Sequence, residues 1–200
     1  MSGTKLLRPS RRDLLRAGAA ASVGLGLSPA FAQAELPPTP ECVSGQAETA
    51  RQTEGPFFKR RSPERSQLRE PGMAGTLVDL TGYVLTRSCR PLPRTIVDLW
   101  QADAKGVYDN TGFRLRGHQF TDAEGRYLFR TIVPAAYDFR TAHFHVKVAA
   151  RERPVLTTQL YFPDEPKNLR DPLFRPELLM RVARAGDLVR ARFDFVLDMS

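Results

Sequence analysis

Residues 140–149 read RTAHFHVKVA, a stretch in which aromatic and β-branched residues occupy every second position. A period of two is typical of a β-strand, because successive side chains of a strand point to opposite faces. His143 and His145 then share one face, and the apolar residues that alternate with them point into a core. Two imidazoles on one face of a sheet are a rigid pair of candidate metal ligands, although zinc, copper and iron sites all use such pairs.

Five further runs are rich in Val, Ile, Leu, Phe, Tyr and Thr and are separated by clusters of Pro, Gly and Asp. They are residues 76–86, 95–102, 126–132, 156–162 and 188–197. Only residues 176–185 have a short helical pattern. Short strands at regular spacing predict an all-β fold, a single-domain antiparallel β-sandwich with long loops that spans residues 74–200. Residues 33–73 are polar and contain Pro and Gly, so they are predicted to form an extended N-terminal arm and a loop.

Two tyrosines in turn-like contexts flank the histidine pair in the sequence. Tyr108 follows the strand-like run that ends near Asp103, and Tyr137 lies six residues before His143. Loops commonly display functional side chains. Two phenolates and two imidazoles form a hard, anionic set that suits ferric iron better than copper(I) or a thiolate-type zinc site. A free phenol has a pKa of about 10, so only a strongly Lewis-acidic cation keeps it ionised near neutral pH.

The other tyrosines and the third histidine are expected to have structural roles. Tyr83, Tyr127 and Tyr161 are assigned to the core, each with a satisfied hydroxyl group. His118 is expected on the surface or in a loop, and the alternative is that it lines a pocket.

Five motifs, taken together and in order, resemble those of the intradiol ring-cleavage dioxygenases, the family of catechol and protocatechuate dioxygenases. They are LWQADAKGVY at 99–108, FTDAEGRY at 120–127, RTIVPAAY at 130–137, RTAHFH at 140–145 and LTTQLYF at 156–162. The resemblance extends from EGPFF at residues 54–58, which is expected to pack at the mouth of the site, to Phe162.

The resemblance implies a non-haem Fe(III) cofactor with four protein ligands, which are Tyr108, Tyr137, His143 and His145. It implies three catalytic residues: Tyr137 as the tyrosine released when a catechol binds, and Arg140 and Gln159 near the substrate. The alternatives are a surface salt bridge for Arg140 and a polar strand position for Gln159.

The activity that the resemblance implies is cleavage of a catechol-type ring between its two hydroxyl-bearing carbons with dioxygen, which gives a cis,cis-muconate-type diacid. The sequence does not indicate which catechol is the substrate. The alternative function is an exported, non-catalytic β-sandwich module that binds a metal or a carbohydrate-like ligand. The long helical N-terminal domain through which catechol dioxygenases dimerise has no counterpart in the sequence, so a homo-oligomer is left open.

The first 32 residues are expected to be a signal peptide. Arg11 and Arg12 precede an Ala-, Gly- and Leu-rich stretch at 17–31, and Ala-Phe-Ala at 30–32 fits a small-residue cleavage site. Adjacent arginines resemble a twin-arginine (Tat) signal. We therefore expect export to the periplasm or the cell exterior. The alternatives are a membrane anchor and a chance basic amphipathic helix.

The formal net charge of +8 and the pI near 10.0 raise nucleic acid and anionic membranes as partners. Half of that excess lies in residues 1–32, where five basic residues accompany one acidic residue. The remaining arginines are scattered, and no helix-turn-helix, zinc-finger or RNP-type pattern is present. We therefore expect no nucleic-acid partner, and no membrane association once the signal is removed.

The sequence contains two cysteines, Cys42 and Cys89. They are 47 residues apart, which is not a metal-ligand spacing, and the sequence has no CxxC motif. In an exported chain they fit one disulfide between the arm and the first strands. Two buried thiols are the alternative.

Overall fold

A computed structural model describes residue 45 and residues 47–199 of the chain. The chain divides after Ala32 into two units, and the predicted signal peptide lies outside the described residues. Cys89 is disulfide-bonded, and Cys42 also lies outside the described residues. In the described part of the chain, no helix is long and apolar enough to cross a membrane.

The described residues form nine strands in two sheets. They are β1 (Leu77–Thr86), β2 (Ile96–Trp100), β3 (Arg116–Phe120), β4 (Arg126–Ile132), β5 (His143–Ala149), β6 (Leu156–Tyr161), β7 (Arg181–Ala185), β8 (Leu188–Arg192) and β9 (Phe195–Leu197). The first sheet has the order β3-β2-β5-β6, and the second has β4-β1-β8-β7 with β9 beside β1. The pairings are antiparallel except for those of β1 with β8 and β9. The predicted β-sandwich is confirmed.

Two details of the sequence prediction are wrong. Residues 176–185 are not a helix: a short 3-10 turn at Pro176–Leu178 precedes β7. Because β7 pairs along its whole length with β8, tertiary pairing overrides the helix propensity of its Arg and Ala residues. The strand β3 was not predicted, because its sequence RGHQF has almost no β-branched or alternating apolar residues.

The run at 188–197 forms two strands instead of one. At the break, the Asp194 carboxylate accepts the Tyr83 N–H at 2.9 Å, in place of a strand carbonyl. The Phe193 carbonyl approaches Gly82 so closely that a Cβ there would lie 1.7 Å from the oxygen. A residue larger than Gly at this position of β1 would therefore push the two strands apart.

The core lies between the two sheets. β5 contributes Phe144, Val146 and Val148, each at most 1% exposed, and β1 contributes Val78, Leu80 and Val84, all fully buried. This confirms the predicted alternation in residues 140–149. The opposite face of β5 carries His143 and His145, and it is buried as well.

The arm explains why both faces of β5 are buried. Residues 47–73 are extended and run over the first sheet, and they contain no helix. The Gln52 N–H donates to the Thr157 carbonyl at 2.8 Å, and the Arg65 N–H donates to the His118 carbonyl at 2.8 Å. The arm therefore forms a layer over the face of the sheet that carries the histidines.

Candidate metal centre

A row of cross-strand partners carries the site across the first sheet. Arg116 on β3, Trp100 on β2, His145 on β5 and Gln159 on β6 are aligned in register. The Trp100 indole stacks on the His145 imidazole with centroids 4.9 Å apart and an interplanar angle of 11°. The register of four strands thus fixes the orientation of the imidazole.

The two histidines present their Nε2 atoms to one point. These atoms are 3.1 Å apart, and the side chains are 2% and 1% exposed. His143 Nδ1 lies 2.6 Å from the Thr141 carbonyl oxygen, to which it donates. This bond assigns the proton to Nδ1 and leaves the Nε2 lone pair for a ligand, as in metal-binding histidines.

Tight turns bring the two tyrosines to the same point. The Asp103 carboxylate caps a turn by accepting the N–H groups of Lys105 at 2.8 Å and Val107 at 3.0 Å. Gly106 in this turn has a φ of +81°, and a Cβ there would lie 3.0 Å from the Tyr137 Cβ. Glycine therefore allows the turn to approach Tyr137, and the hydroxyl oxygens of Tyr108 and Tyr137 are 3.5 Å apart.

The four side chains predicted as ligands are brought together by the structure. The Tyr108 ring lies 6.0 Å from the His145 ring, and the Tyr137 ring lies 5.8 Å from the His143 ring. Two nitrogens in adjacent positions about 2.1 Å from one metal lie about 3 Å apart, which matches the observed Nε2 separation. In the described part of the chain, no three His, Cys, Asp or Glu side chains form an alternative metal site.

Burial keeps His143, His145 and Tyr108 neutral. It lowers the pKa of His143 to about 4 and that of His145 well below its usual value, and nearby positive charge acts in the same direction. Burial and the neighbouring Tyr137 raise the pKa of Tyr108 far above 10. Neutral imidazoles are ready to ligate, and the phenol requires a strong Lewis acid to ionise. The set therefore fits a trivalent metal ion.

Arg140 and Gln159 lie beside the four donors and are both buried. The Arg140 Nη2 donates to Gln159 Oε1, and its Nε donates to the Asp171 carboxylate at 2.9 Å. The Gln159 amide group donates to the Thr53 carbonyl at 3.0 Å. The ion pair of Arg140 is thus buried, so the surface salt bridge is wrong as an alternative. Gln159 does lie on a strand, β6, where it is part of a buried polar network.

The segment EGPFF packs over the site, as expected. Phe57 stacks on Tyr108 with centroids 4.3 Å apart, and Phe58 packs on Trp100 at 4.8 Å. A Cβ on Gly55 would lie 3.3 Å from His145 Cε1. These rings exclude water from one side of the site.

The remaining histidine and tyrosines have structural roles, with two differences from expectation. His118 lies on β3, not in a loop, and its Nδ1 contacts the Ser62 hydroxyl at 3.1 Å. Tyr127 and Tyr161 are buried, and their hydroxyls donate to main-chain carbonyls at 2.7 and 2.8 Å. Tyr83 is only half-buried, with the Arg192 guanidinium 5.2 Å from its ring.

Two charged residues next to the site were not found from the sequence. Arg116 is 1% exposed and donates to the Phe57 carbonyl at 2.6 Å, which holds the arm over Tyr108. Asp171 is the buried partner of Arg140. Neither lies in a recognisable pattern: β3 lacks alternation, and Asp171 follows a short 3-10 turn outside the motifs.

A β-sandwich that gathers two imidazoles and two phenols at one buried point has the architecture of a mononuclear metal centre. The family model described as "Dioxygenase" (Dioxygenase_C) matches residues 53–199. The chain belongs to this family of enzymes, and its relatives identify the family as the intradiol ring-cleavage dioxygenases.

Relatives of known structure share the fold. The dioxygenase domain of a dioxygenase–carbohydrate-binding protein fusion from the cellulolytic bacterium Streptomyces sp. SirexAA-E is 52% identical, with a TM-score of 0.75 over 77% of this chain and 100% of that chain. The 3-chlorocatechol 1,2-dioxygenase from Rhodococcus opacus 1CP is 28% identical, with a TM-score of 0.71 over 76% of this chain and 73% of that chain.

A curated relative, the protocatechuate 3,4-dioxygenase beta chain from Burkholderia cepacia, is 35% identical over 62% of this chain and 65% of its own length. The hydroxyquinol 1,2-dioxygenase from Rhizobium sp. is 30% identical over 69% of this chain and 56% of its own length. The chain thus spans less than two thirds of the length of these curated relatives.

Proposed function

We propose that the chain holds a non-haem Fe(III) on Tyr108, Tyr137, His143 and His145 and cleaves a catechol-type ring between its two hydroxyl-bearing carbons. Both atoms of dioxygen enter the product, a cis,cis-muconate-type diacid. The convergence of the four donors carries this proposal, with Nε2 atoms 3.1 Å apart and hydroxyl oxygens 3.5 Å apart. The relatives named as catechol, hydroxyquinol and protocatechuate dioxygenases support the reaction class.

When bound, ferric iron would supply Lewis acidity toward the diol and make its ring more reactive toward dioxygen. The protein contributes the handling of the protons. As a ligand, Tyr137 would be a phenolate, and its oxygen would accept one of the two diol protons to become a phenol, which is general-base catalysis. Tyr137 is half-buried, whereas Tyr108 is 6% exposed and lies under Phe57, so Tyr137 is the tyrosine with room to move.

Arg140 provides the positive charge for the reaction. Its guanidinium is fixed beside the donors by Gln159 and Asp171, so it stabilises negative charge that builds up on the ring without having to reorganise. Trp100, Phe57 and Phe58 keep water away from this charge and strengthen its effect.

A visible spectrum combined with an iron assay and an oxygen electrode tests the proposal. We expect a red-purple protein with one iron per chain, from tyrosinate-to-iron charge transfer, that consumes one dioxygen per catechol cleaved. A colourless protein that stays without turnover after ferric loading would overturn it and favour a non-catalytic module.

We propose in addition that residues 1–32 direct export through a Tat-type route, with the iron loaded into the folded protein before transport. The adjacent Arg11 and Arg12 and the small-residue site at 30–32 support this. A fusion of residues 1–40 to a reporter should be exported, and the Arg11→Lys/Arg12→Lys fusion should be retained. Export of the double variant at the unchanged level would refute the Tat route.

A further inference from the structure

Asp171 is a carboxylate without any solvent-accessible side-chain surface, immediately after the 3-10 turn Asn168–Arg170. It accepts hydrogen bonds from three N–H donors. The Arg140 Nε donates to its two oxygens at 3.2 and 2.9 Å, the Thr141 N–H donates at 3.0 Å, and the Leu173 N–H donates at 2.9 Å. A buried carboxylate that accepts from several donors is fixed in position.

Hydrogen bonds at two of its nitrogens fix the orientation of the Arg140 guanidinium. Nε is bound to Asp171, and Nη2 donates to Gln159 Oε1. Because the guanidinium is planar, these two attachments determine where Nη1 points. Nη1 has no hydrogen-bond partner among the described residues, so it is the nitrogen left for a substrate.

The other partner of Arg140 is itself neutral. Gln159 Oε1 also lies 3.0 Å from the Tyr161 hydroxyl oxygen. Asp171 is therefore the group that compensates the buried guanidinium charge. Without it, the cation would be left unpaired in a low-dielectric site, which is costly and favours displacement of the side chain toward water.

The same segment fixes Thr141, the residue that follows Arg140. The Thr141 hydroxyl donates to Asn168 Oδ1 at 2.8 Å, and the Asn168 amide donates to the Phe162 carbonyl at 2.9 Å. Thr141 is fully buried as a result. Asp171 thus binds a segment that hydrogen bonds fix in place directly before β5.

We propose that Asp171 is a positioning residue, whose carboxylate orients the Arg140 guanidinium so that Nη1 faces the ring being cleaved. This inference rests on the proposed function. Asp171 contacts neither the four donors nor, by its burial behind Arg140, the substrate, so its effect on the reaction passes through Arg140.

Asp171→Asn is the direct test, because it removes the charge and keeps the shape. Charge-assisted hydrogen bonds are worth about 1.5–3 kcal/mol, so we expect kcat per iron to fall by about 10- to 100-fold. The iron content and the visible band should persist, and KM should change by less than about threefold, since the effect falls on the transition state.

Asp194→Asn is the matched control in the second sheet. Asp194 accepts an ion pair from Arg181 at 3.1 Å and the Tyr83 N–H at 2.9 Å, so its loss removes a comparable set of bonds. We expect a lower melting temperature with unchanged kcat. If Asp171→Asn behaves in the same way, with lower stability and full kcat, Asp171 has a purely structural role and the proposal is wrong.

A double-mutant cycle separates positioning from general damage. In an Arg140→Gln background there is no guanidinium to orient, so Asp171→Asn should change kcat/KM by less than about twofold, because interacting neighbours are non-additive. An equal loss in both backgrounds would contradict an action through Arg140.

A readout independent of turnover uses the Arg140 Nε–H signal in NMR spectra of the full-length protein, with and without diamagnetic gallium(III). The signal is assigned by its loss in Arg140→Lys. It should exchange slowly in the wild-type protein and be broadened by exchange in Asp171→Asn. A signal that stays protected in the variant overturns the proposal even in an inactive protein, whereas absent iron binding and turnover in the wild-type protein count against the proposed function alone.

Discussion

The outer faces of the two sheets differ in how far they are buried. On β1 of the second sheet, buried and partly exposed residues alternate for most of the strand, so one face meets the core and the other meets solvent. On β5 of the first sheet, the first four residues are buried on both faces. The difference arises from residues 55–58 of the arm, which pack over the row that carries His145.

The covered face of the first sheet contains buried polar atoms that have no hydrogen-bond partner. Four buried side-chain atoms in the described part of the chain have no hydrogen-bond partner, and three of them lie in the row Arg116–Trp100–His145. Such groups are costly in a folded protein and concentrate at functional sites. The buried polar face of the first sheet thus lowers the stability of the fold. The second sheet contributes stability through apolar packing. Substitutions matched between the two sheets test this contrast.

The largest effect is expected from a tyrosine on the covered face. Tyr108→Phe removes one oxygen donor, and the loss of several kcal/mol of charge stabilisation corresponds to a fall on the order of 10³-fold in kcat. Bound iron and oxygen uptake measure the effect, and His145→Ala should act in the same direction.

Tyr127→Phe is the matched control. The Tyr127 hydroxyl donates to the Phe193 carbonyl at 2.7 Å in the second sheet, so the variant should lose about 1 kcal/mol of stability and keep its iron. Full turnover in Tyr108→Phe would refute the ligand assignment.

The next effect concerns pH. The pKa of His143 is lowered to about 4 by burial, from an ordinary value of 6.5. The unfolded chain therefore binds a proton that the folded chain does not between these values, and stability is lost as the pH falls from 6.5 to 4. This shift corresponds to roughly 3 kcal/mol in the metal-free protein, and His145 adds to it.

Urea midpoints of the metal-free protein between pH 7.5 and 4 measure this loss. His143→Gln is the variant to compare with the wild-type protein, and its slope should be smaller. A slope that is equally steep in His143→Gln would show that other groups cause the acid sensitivity.

A smaller effect is expected at Gly55. Gly55 and Gly72 have φ values of +69° and +76°, so alanine at either position costs about 1–2 kcal/mol. Only at Gly55 does the added methyl meet a site residue, His145 Cε1 at 3.3 Å, whereas nothing lies within 4 Å at Gly72.

We therefore expect equal losses of melting temperature in Gly55→Ala and Gly72→Ala, and a decrease in kcat of about 10-fold or more only in Gly55→Ala, because small displacements of a site group are costly. Equal kcat values in the two variants would show that the arm does not control the position of the imidazole.

The smallest effect is expected on the solvent-facing side of the second sheet. Asp79 on β1 forms an ion pair with Arg69 at 3.2 Å, and both side chains are partly exposed. Such pairs contribute about 0–1 kcal/mol, so Asp79→Asn should change stability by less than about 1 kcal/mol and leave kcat unchanged. A loss of several kcal/mol would mean that this face is not an ordinary solvated one.

Much of the site could be predicted from local sequence. The alternation around His143 and His145 follows from the geometry of a single strand, so both histidines and the core residues between them were found. Tyr108 and Tyr137 were found because they lie in turns of recognisable composition and in motifs that resemble those of one family. Arg140 and Gln159 came from the same motifs, but their direct bond could not be derived, because it joins two strands whose register depends on the whole sheet.

What the sequence by itself determined is the set of local properties: the strands with clear alternation, the β-sandwich class and the four candidate donors. The tertiary structure alone decided that the arm buries the face of β5, that residues 181–185 pair as a strand, and that Asp171 compensates Arg140. The physical reason is that periodicity is a property of adjacent residues, whereas burial of a second face and pairing of charges depend on segments distant in sequence.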